Sequence, residues 1–183
     1  MIFPVGSATL NRGKTDNNRV GRLSIVVHAA GPSFKTMKIS SQAFKNGGQI
    51  PAKYTKYGEN HIPPIHLEEL PANTRSLAMI VDDPDAPNGT FNHWLLFNMD
   101  PHVVDIKENV VPVMATQGKN DFGTVEYDGP MPPSGEHRYR FNAFALDTVL
   151  PLSRGARRAE LEREMKGHVL GQATLMGKYA HPS

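Results

Sequence analysis

The chain has 183 residues, a length that favours one domain whose hydrophobic core needs no cross-links. It contains no cysteine, which excludes disulfides and thiolate metal sites. The formal net charge is +2, but residues 1–37 hold five basic residues and one acidic residue, so residues 38–183 sum to −2. The body of the chain therefore lacks the basic footprint of nucleic-acid binding, and we expect no nucleic-acid partner.

Residues 1–36 show no sustained hydrophobic period and carry a net charge of +4. We interpret them as a flexible basic N-terminal extension, followed by a domain at 37–183. Ala8 to Thr15 resembles a relaxed phosphate loop, but no strand precedes it and no helical pattern follows. No apolar run approaches the ~20 residues of a membrane span. The sequence thus predicts no transmembrane segment, and we expect a cytoplasmic protein.

Short apolar runs between turns indicate an all-β fold. The chain has 15 prolines and 16 glycines, which separate these runs. We expect two antiparallel sheets packed face to face, with long loops. The side chains expected in the core are Leu77, Met79, Leu95, Phe97, Phe141 and Ala143.

One helix is predicted near the C-terminus, from Arg157 to about Gly171. Leu161, Met165 and Val169 are spaced four apart, which places them on one face of a helix. A closing strand is predicted from Thr174 to Tyr179.

Two strand ends place polar side chains where they could meet. Asp82 to Gly89 is rich in turn residues, and it joins the run Leu77 to Val81 to a second run that begins at His93. If these strands pair antiparallel, Asp83, Asp85 and His93 gather at one end of the sheet. An Asp-Pro-Asp sequence is often only a turn, however, and a strand histidine is often a core residue.

A third strand supplies further candidates. Gly129 to Gly135 forms a stiff Pro/Gly loop, and a strand follows it. Because strand side chains alternate, His137 and Tyr139 share one face while Arg138 and Arg140 share the other.

The chain resembles the phosphatidylethanolamine-binding protein family, and most closely its prokaryotic Raf-kinase-inhibitor-like branch. Five motifs carry the resemblance in order: Asp83-Pro-Asp-Ala-Pro87, His93-Trp94, Asn120-Asp-Phe-Gly123, Pro132-Pro133 and Gly135-Glu-His-Arg-Tyr139. The resemblance implies a β-sandwich with one C-terminal helix and an anion-binding pocket. It also suggests a cis peptide bond at Asp83–Pro84.

The candidate ligand-binding residues are Asp83, Asp85, His93, Pro132, His137 and Tyr139. Imidazole and phenol groups can donate hydrogen bonds to phosphate or carboxylate, and a nearby carboxylate favours charged histidine. Asp83 would repel a simple anion, but it could orient a histidine or meet a cationic part of the ligand. A phosphoethanolamine headgroup carries both charges and would satisfy both requirements.

Three classes of function remain open at this point. We expect a binding module for a small anion or a phosphate headgroup, with no catalytic residue, cofactor or metal. The first alternative is a regulator that binds a kinase or protease through the same pocket, and a homodimer is also open. The second is a hydrolase with His93 or His137 as general base, although the sequence has no Gly-x-Ser-x-Gly elbow. A zinc site of two histidines and Asp83 lacks a His-Glu-x-x-His motif.

Overall fold

Antiparallel strands dominate the computed structural model, which describes residues 37–182. These residues lie within one unit, Ser33–Ser183. The elements are β1 (Lys38–Ser40), a 3-10 turn (Ala52–Tyr54), β2 (Ile65–Glu68), β3 (Ser76–Asp83), β4 (Phe91–Met99), β5 (Asp105–Ile106), β6 (Thr116–Gln117), β7 (Glu136–Leu146), α1 (Arg158–Met165) and β8 (Val169–Ala180). The predicted extension at 1–36 lies outside the described residues, so it stays a prediction.

The strands form two sheets, as the sequence predicts. The small sheet has the order β1-β2-β5, and the large sheet has the order β6-β4-β3-β7-β8. Neighbouring strands in both sheets pair antiparallel. The expected all-β fold of two antiparallel sheets and one helix is confirmed.

The large sheet buries both of its faces, which explains why its central strands are apolar almost throughout. One face packs on side chains of the small sheet, including Leu67, through Met79 and Phe141. The opposite face packs on α1 through Leu95 and Phe97. All six residues expected in the core are fully buried, but Leu95 and Phe97 lie beneath the helix and not between the sheets.

The helix is shorter than its hydrophobic spacing predicts. It ends at Met165, and β8 begins at Val169, so the expected continuation to Gly171 is wrong. Gly167 has φ +86°, a left-handed conformation that ends helices and is accessible to glycine at little cost. Leu161 and Met165 are buried as expected, whereas Val169 is 42% exposed.

The outer edge of β8 is covered near its C-terminal end by the segment 46–50. The Gly47 N–H donates to the Met176 carbonyl over 2.7 Å, and the Ile50 N–H donates to the Lys178 carbonyl over 2.8 Å. The Lys178 N–H in turn donates to the Gly48 carbonyl over 2.8 Å. This segment extends the backbone pairing beyond the last strand of the large sheet.

The turn between β3 and β4 places Asp83 opposite Phe91. The Asp83 Oδ1 atom accepts a hydrogen bond from the Asp85 N–H over 2.8 Å, which closes the turn through a side chain. No cis peptide bond occurs among residues 37–182, so the cis bond predicted at Asp83–Pro84 is wrong. The side-chain hydrogen bond tightens the turn without that isomer.

No helix in the described part of the chain is long and apolar enough to cross a membrane.

Candidate functional site

A cavity of about 490 Å³ lies at the end of the large sheet where β3 leaves and β4 enters. Its wall is built by the turn between these strands and by loops that precede β7. The lining residues are Asp83, Ala86, Pro87, Asn88, Gly89, Thr90, Phe91, His93, Asp121, Phe122, Met131 and Pro133. Of the six candidate residues, only Asp83 and His93 line this cavity.

Asp83 is held in place by His137 from the neighbouring strand. Both residues are buried, with 3% and 8% of their surfaces exposed. The His137 Nδ1 atom lies 2.7 Å from Asp83 Oδ2, and because a carboxylate accepts, the imidazole donates. Asp83 Oδ1 is already occupied by the Asp85 N–H. The carboxylate is therefore fixed in orientation at the cavity wall.

His93 is positioned by two backbone carbonyl groups of the loop that precedes β7. Its Nδ1 atom lies 2.7 Å from the Asp128 oxygen and 3.1 Å from the Gly129 oxygen. Carbonyl oxygens only accept, so Nδ1 carries the proton. Burial lowers the pKa of His93, which favours the neutral ring. In that form Nε2 has a free lone pair and can accept a hydrogen bond, whereas a charged ring would donate from both nitrogens.

Tyr139 lies behind His93 and is fully buried. The two rings meet edge to face, with centroids 5.3 Å apart. The Tyr139 hydroxyl is buried and makes no hydrogen bond of standard geometry to residues 37–182, although the Asp83 carboxylate and the Met131 backbone lie close enough to interact with it. Burial also raises the pKa of this phenol, so the hydroxyl keeps its proton and can donate.

Asp85 and Pro132 do not reach the cavity wall. Asp85 accepts hydrogen bonds from the Nε, Nη2 and backbone N–H groups of Arg138. The hydrogen bonds from Arg138 lower the pKa of Asp85 to about 2. Pro132 is buried, and its carbonyl accepts a hydrogen bond from the Tyr57 hydroxyl over 3.0 Å. The roles of all six residues in ligand binding stay predictions.

The cavity has an aromatic wall that the residue pattern of the candidate strands did not identify. The Phe122 ring lies 4.8 Å from the Phe91 ring and 5.4 Å from the His93 ring, measured between centroids. The Lys56 Nζ atom sits 4.5 Å from the Phe122 centroid, a cation–π distance. Phe122 belongs to the Asn120-Asp-Phe-Gly123 motif. Its place in the site could therefore have been predicted from that motif, but not from the alternation of side chains along a strand.

A buried carboxylate anchors this aromatic wall from behind. Asp128 is 2% exposed and forms an ion pair with Lys56. It also accepts hydrogen bonds from Asn120 over 2.8 Å and from Thr124 over 2.6 Å. Burial is the largest single influence and raises the pKa of Asp128, but the side-chain hydrogen bonds from Lys56, Thr124 and Asn120 together outweigh it, so the pKa is lowered.

No group of three His, Asp or Glu side chains within residues 37–182 is arranged to hold a metal ion. His66 lies in β2 and pairs with Asp105, at 2.6 Å between Nδ1 and Oδ1.

The comparisons with known proteins agree with the fold and the motifs. The family model described as phosphatidylethanolamine-binding protein matches residues 40–180. The chain belongs to the phosphatidylethanolamine-binding protein family. A UPF0098 protein of Methanothermobacter thermautotrophicus is 47% identical over 148 residues, which cover 78% of this chain and 98% of that protein.

Two solved structures show the same architecture. A phosphatidylethanolamine-binding protein homolog from Chlamydia trachomatis has a TM-score of 0.78 and 38% identity, covering 81% of this chain and 99% of that one. E. coli YbcL, described as a member of the mammalian family, has a TM-score of 0.75 and 26% identity. The match covers 80% of this chain and 99% of YbcL.

Proposed function

We propose that the cavity binds a small ligand with a phosphate group and a cationic amine, such as a phosphoethanolamine headgroup. The observation that carries this proposal is the lining of the cavity by the buried Asp83 carboxylate and the neutral His93 imidazole, with the buried, hydroxyl-bearing ring of Tyr139 packed against that imidazole. A phosphate oxygen is a suitable acceptor for that hydroxyl. The family name supports a ligand of this kind, but fold alone does not dictate function.

The charges of the lining favour a ligand that is not purely anionic. Asp83 and Asp121 both line the cavity, and no lysine or arginine within residues 37–182 does. A bare phosphate would meet two carboxylates, whereas an attached ammonium group would meet opposite charges. The neutral His93 adds an acceptor at Nε2, which an ammonium N–H or a protonated phosphate oxygen can satisfy. The zwitterion therefore matches both halves of the site.

We expect the cavity to bind phosphoethanolamine without hydrolysing it. Incubation of the protein with phosphoethanolamine should leave the compound intact in phosphorus NMR spectra. Release of inorganic phosphate above the rate of a protein-free sample would favour the hydrolase alternative, with His93 as the base.

Isothermal titration calorimetry tests the binding. Phosphoethanolamine should bind more tightly than ethanolamine or inorganic phosphate, because neither half satisfies both the hydroxyl and the carboxylates. Tyr139→Phe should weaken phosphoethanolamine and phosphate, and Asp83→Asn should weaken phosphoethanolamine and ethanolamine. Arg138→Gln is the control, since Arg138 pairs with Asp85 away from the cavity. Equal affinity for all three compounds, or no binding by the parent protein, contradicts the proposal.

A protein partner such as a kinase or protease is a second candidate, and one observation favours it. Phe122 and Met131 line the cavity and are 37% and 45% exposed, so the cavity presents apolar surface to solvent. A phosphorylated or acidic side chain could then enter the cavity while its neighbours cover these residues. A phosphoserine peptide that binds at least tenfold more tightly than phosphoethanolamine would support this candidate, and light scattering would show whether the protein forms a homodimer.

A further inference from the structure

A second cavity lies on the opposite face of the large sheet, between β7 and α1, and its volume is also about 490 Å³. Its apolar surface comes from the sheet, the helix and the start of β8, and comprises Ile80, Phe144, Met165 and Val169. Ile80 and Met165 belong to the hydrophobic core beneath the helix, so the packing of the core holds these two lining residues in place. The volume falls in the range of small-molecule sites.

A buried carboxylate fixes two arginines at one end of this cavity. Asp82 is 1% exposed. It accepts hydrogen bonds from Arg140 Nε over 2.8 Å and Arg140 Nη2 over 3.1 Å, and from Arg158 Nη1 over 2.9 Å. Asp82 and Arg140 are directly opposite each other in the pairing of β3 with β7. The pairing of these strands therefore sets the distance between the carboxylate and the Arg140 guanidinium.

The two guanidinium groups retain donors that no described residue uses. Arg158 Nε donates to Glu162 over 2.7 Å, but Arg158 Nη2 and Arg140 Nη1 make no hydrogen bond within residues 37–182. Lys166 lines the rim of the cavity, is exposed and forms no ion pair with a described residue. The charged lining thus has three basic residues against Asp82 and Glu162, a net charge of +1.

We propose that this cavity is a second ligand site, for a small organic anion with an apolar body. The head is a carboxylate or a phosphate monoester, which guanidinium groups bind with paired hydrogen bonds. The apolar body lies against Phe144 and Val169, and Lys166 adds attraction at the rim. Charge complementarity selects an anion, because Asp82 is enclosed and satisfied by the arginines while their outer N–H groups stay open. This site does not depend on the function proposed for the first cavity.

Titration calorimetry with octyl phosphate and with octanoate shows whether the site prefers a phosphate monoester or a carboxylate as the head group. We expect at least one of them to bind with 1:1 stoichiometry, and inorganic phosphate and octylammonium to bind at least tenfold more weakly. Amide NMR shifts should move at residues 158–167 and not at residues 86–91. Saturating phosphoethanolamine should leave the affinity for octyl phosphate unchanged, because it occupies the other face of the sheet.

Substitutions of the basic residues test which side chains contribute to anion binding in the second cavity. Arg140→Gln removes one guanidinium and should weaken binding by roughly tenfold or more, the loss typical of a hydrogen bond to a charged group. Lys166→Glu reverses a charge at an exposed position, so it tests the site without threatening the fold. Arg163→Gln is the matched control, because Arg163 is on the same helix, is 66% exposed at its side chain and pairs with Glu164.

Several results would overturn the second site. Octylammonium binding as tightly as octyl phosphate would indicate apolar association without charge recognition. Equal losses for Arg140→Gln and Arg163→Gln, which remove the same charge, would indicate a general effect of surface charge. Displacement of octyl phosphate by phosphoethanolamine would assign it to the first cavity, while failure of phosphoethanolamine to bind at all would bear only on the first proposal.

Discussion

The His137 imidazole donates to the Asp83 carboxylate over 2.7 Å, in a pair that links two neighbouring strands and is almost fully buried. This contact explains why Asp83 and Asp85 differ although they are two residues apart. Asp83 is enclosed by His137 and the turn, whereas Asp85 turns outward to Arg138. The two aspartates therefore form a natural pair for mutagenesis.

Asp83→Asn should lower the free energy of unfolding by about 1.5–3 kcal/mol, the contribution typical of a hydrogen bond to a charged group. Asp85→Asn should cost less, because exposed ion pairs contribute little to stability. Urea denaturation of both variants measures the difference. Equal losses of unfolding free energy in the two variants would show that the buried hydrogen bond of Asp83 with His137 stabilises the protein no more than the exposed ion pair of Asp85.

Tyr139→Phe should leave stability unchanged or raise it slightly, because the buried hydroxyl makes no hydrogen bond of standard geometry to a described residue. Tyr127 is the control: its buried hydroxyl donates to the Tyr54 carbonyl over 2.8 Å. Tyr127→Phe should therefore lose about 0.5–1.5 kcal/mol. Thermal melts of both variants without ligand make the comparison, and a destabilised Tyr139→Phe protein would indicate a structural role for its hydroxyl.

The pH dependence of stability should carry a contribution from His93. Its folded pKa lies below the unfolded value of about 6.5, so the unfolded chain binds the proton more readily. The contribution of the neutral ring is complete above pH ~6.5 and is lost as the pH falls through the folded pKa. Urea denaturation from pH 8 to pH 5 should show a shallower decline for His93→Gln than for the parent protein, and identical slopes would contradict this.

Gly129→Ala should destabilise the protein and weaken ligand binding together. A Cβ atom at this position would clash with the Tyr54 carbonyl oxygen, and the Gly129 carbonyl accepts from His93. Relief of the clash must move the loop that orients the imidazole.

Gly123→Ala separates this clash from backbone strain. Gly123 has φ +91°, yet a Cβ atom there would meet nothing closer than the Lys119 side chain at 4.0 Å. It should cost about 1–2 kcal/mol from conformation alone. Circular dichroism melts and calorimetry with phosphoethanolamine compare the two variants, and a smaller loss for Gly129→Ala would contradict the predicted clash.

Much of the fold follows from local patterns in the sequence. Strand alternation placed His137 and Tyr139 on one face and Arg138 and Arg140 on the other, and the burial of these residues alternates accordingly. The same reasoning failed for the helix, because Val169 continues the helical spacing while Gly167 has already ended the helix. The spacing of apolar residues indicates which side chains share a face of a helix or strand. It does not indicate where the backbone conformation ends that helix or strand.

The site was harder to predict because its parts come from distant segments. Antiparallel pairing of β3 and β4 was enough to bring Asp83 near His93. Asp85 lies outside the cavity lining because β3 ends at Asp83 and Asp85 then pairs with Arg138. The contact of Lys56 with Phe122 and Asp128 joins residues about 70 positions apart, and no local pattern encodes such contacts.

The covering of β8 by residues 46–50 has a consequence for how the molecule behaves at high concentration. A long exposed edge strand offers unpaired backbone groups that can recruit another chain into a growing β-aggregate. Here Gly47, Gly48 and Ile50 already use the outward groups of Met176 and Lys178. These bonds leave fewer free backbone groups between Met176 and Lys178 for pairing with a strand of another chain, so we expect little self-association through this part of the edge.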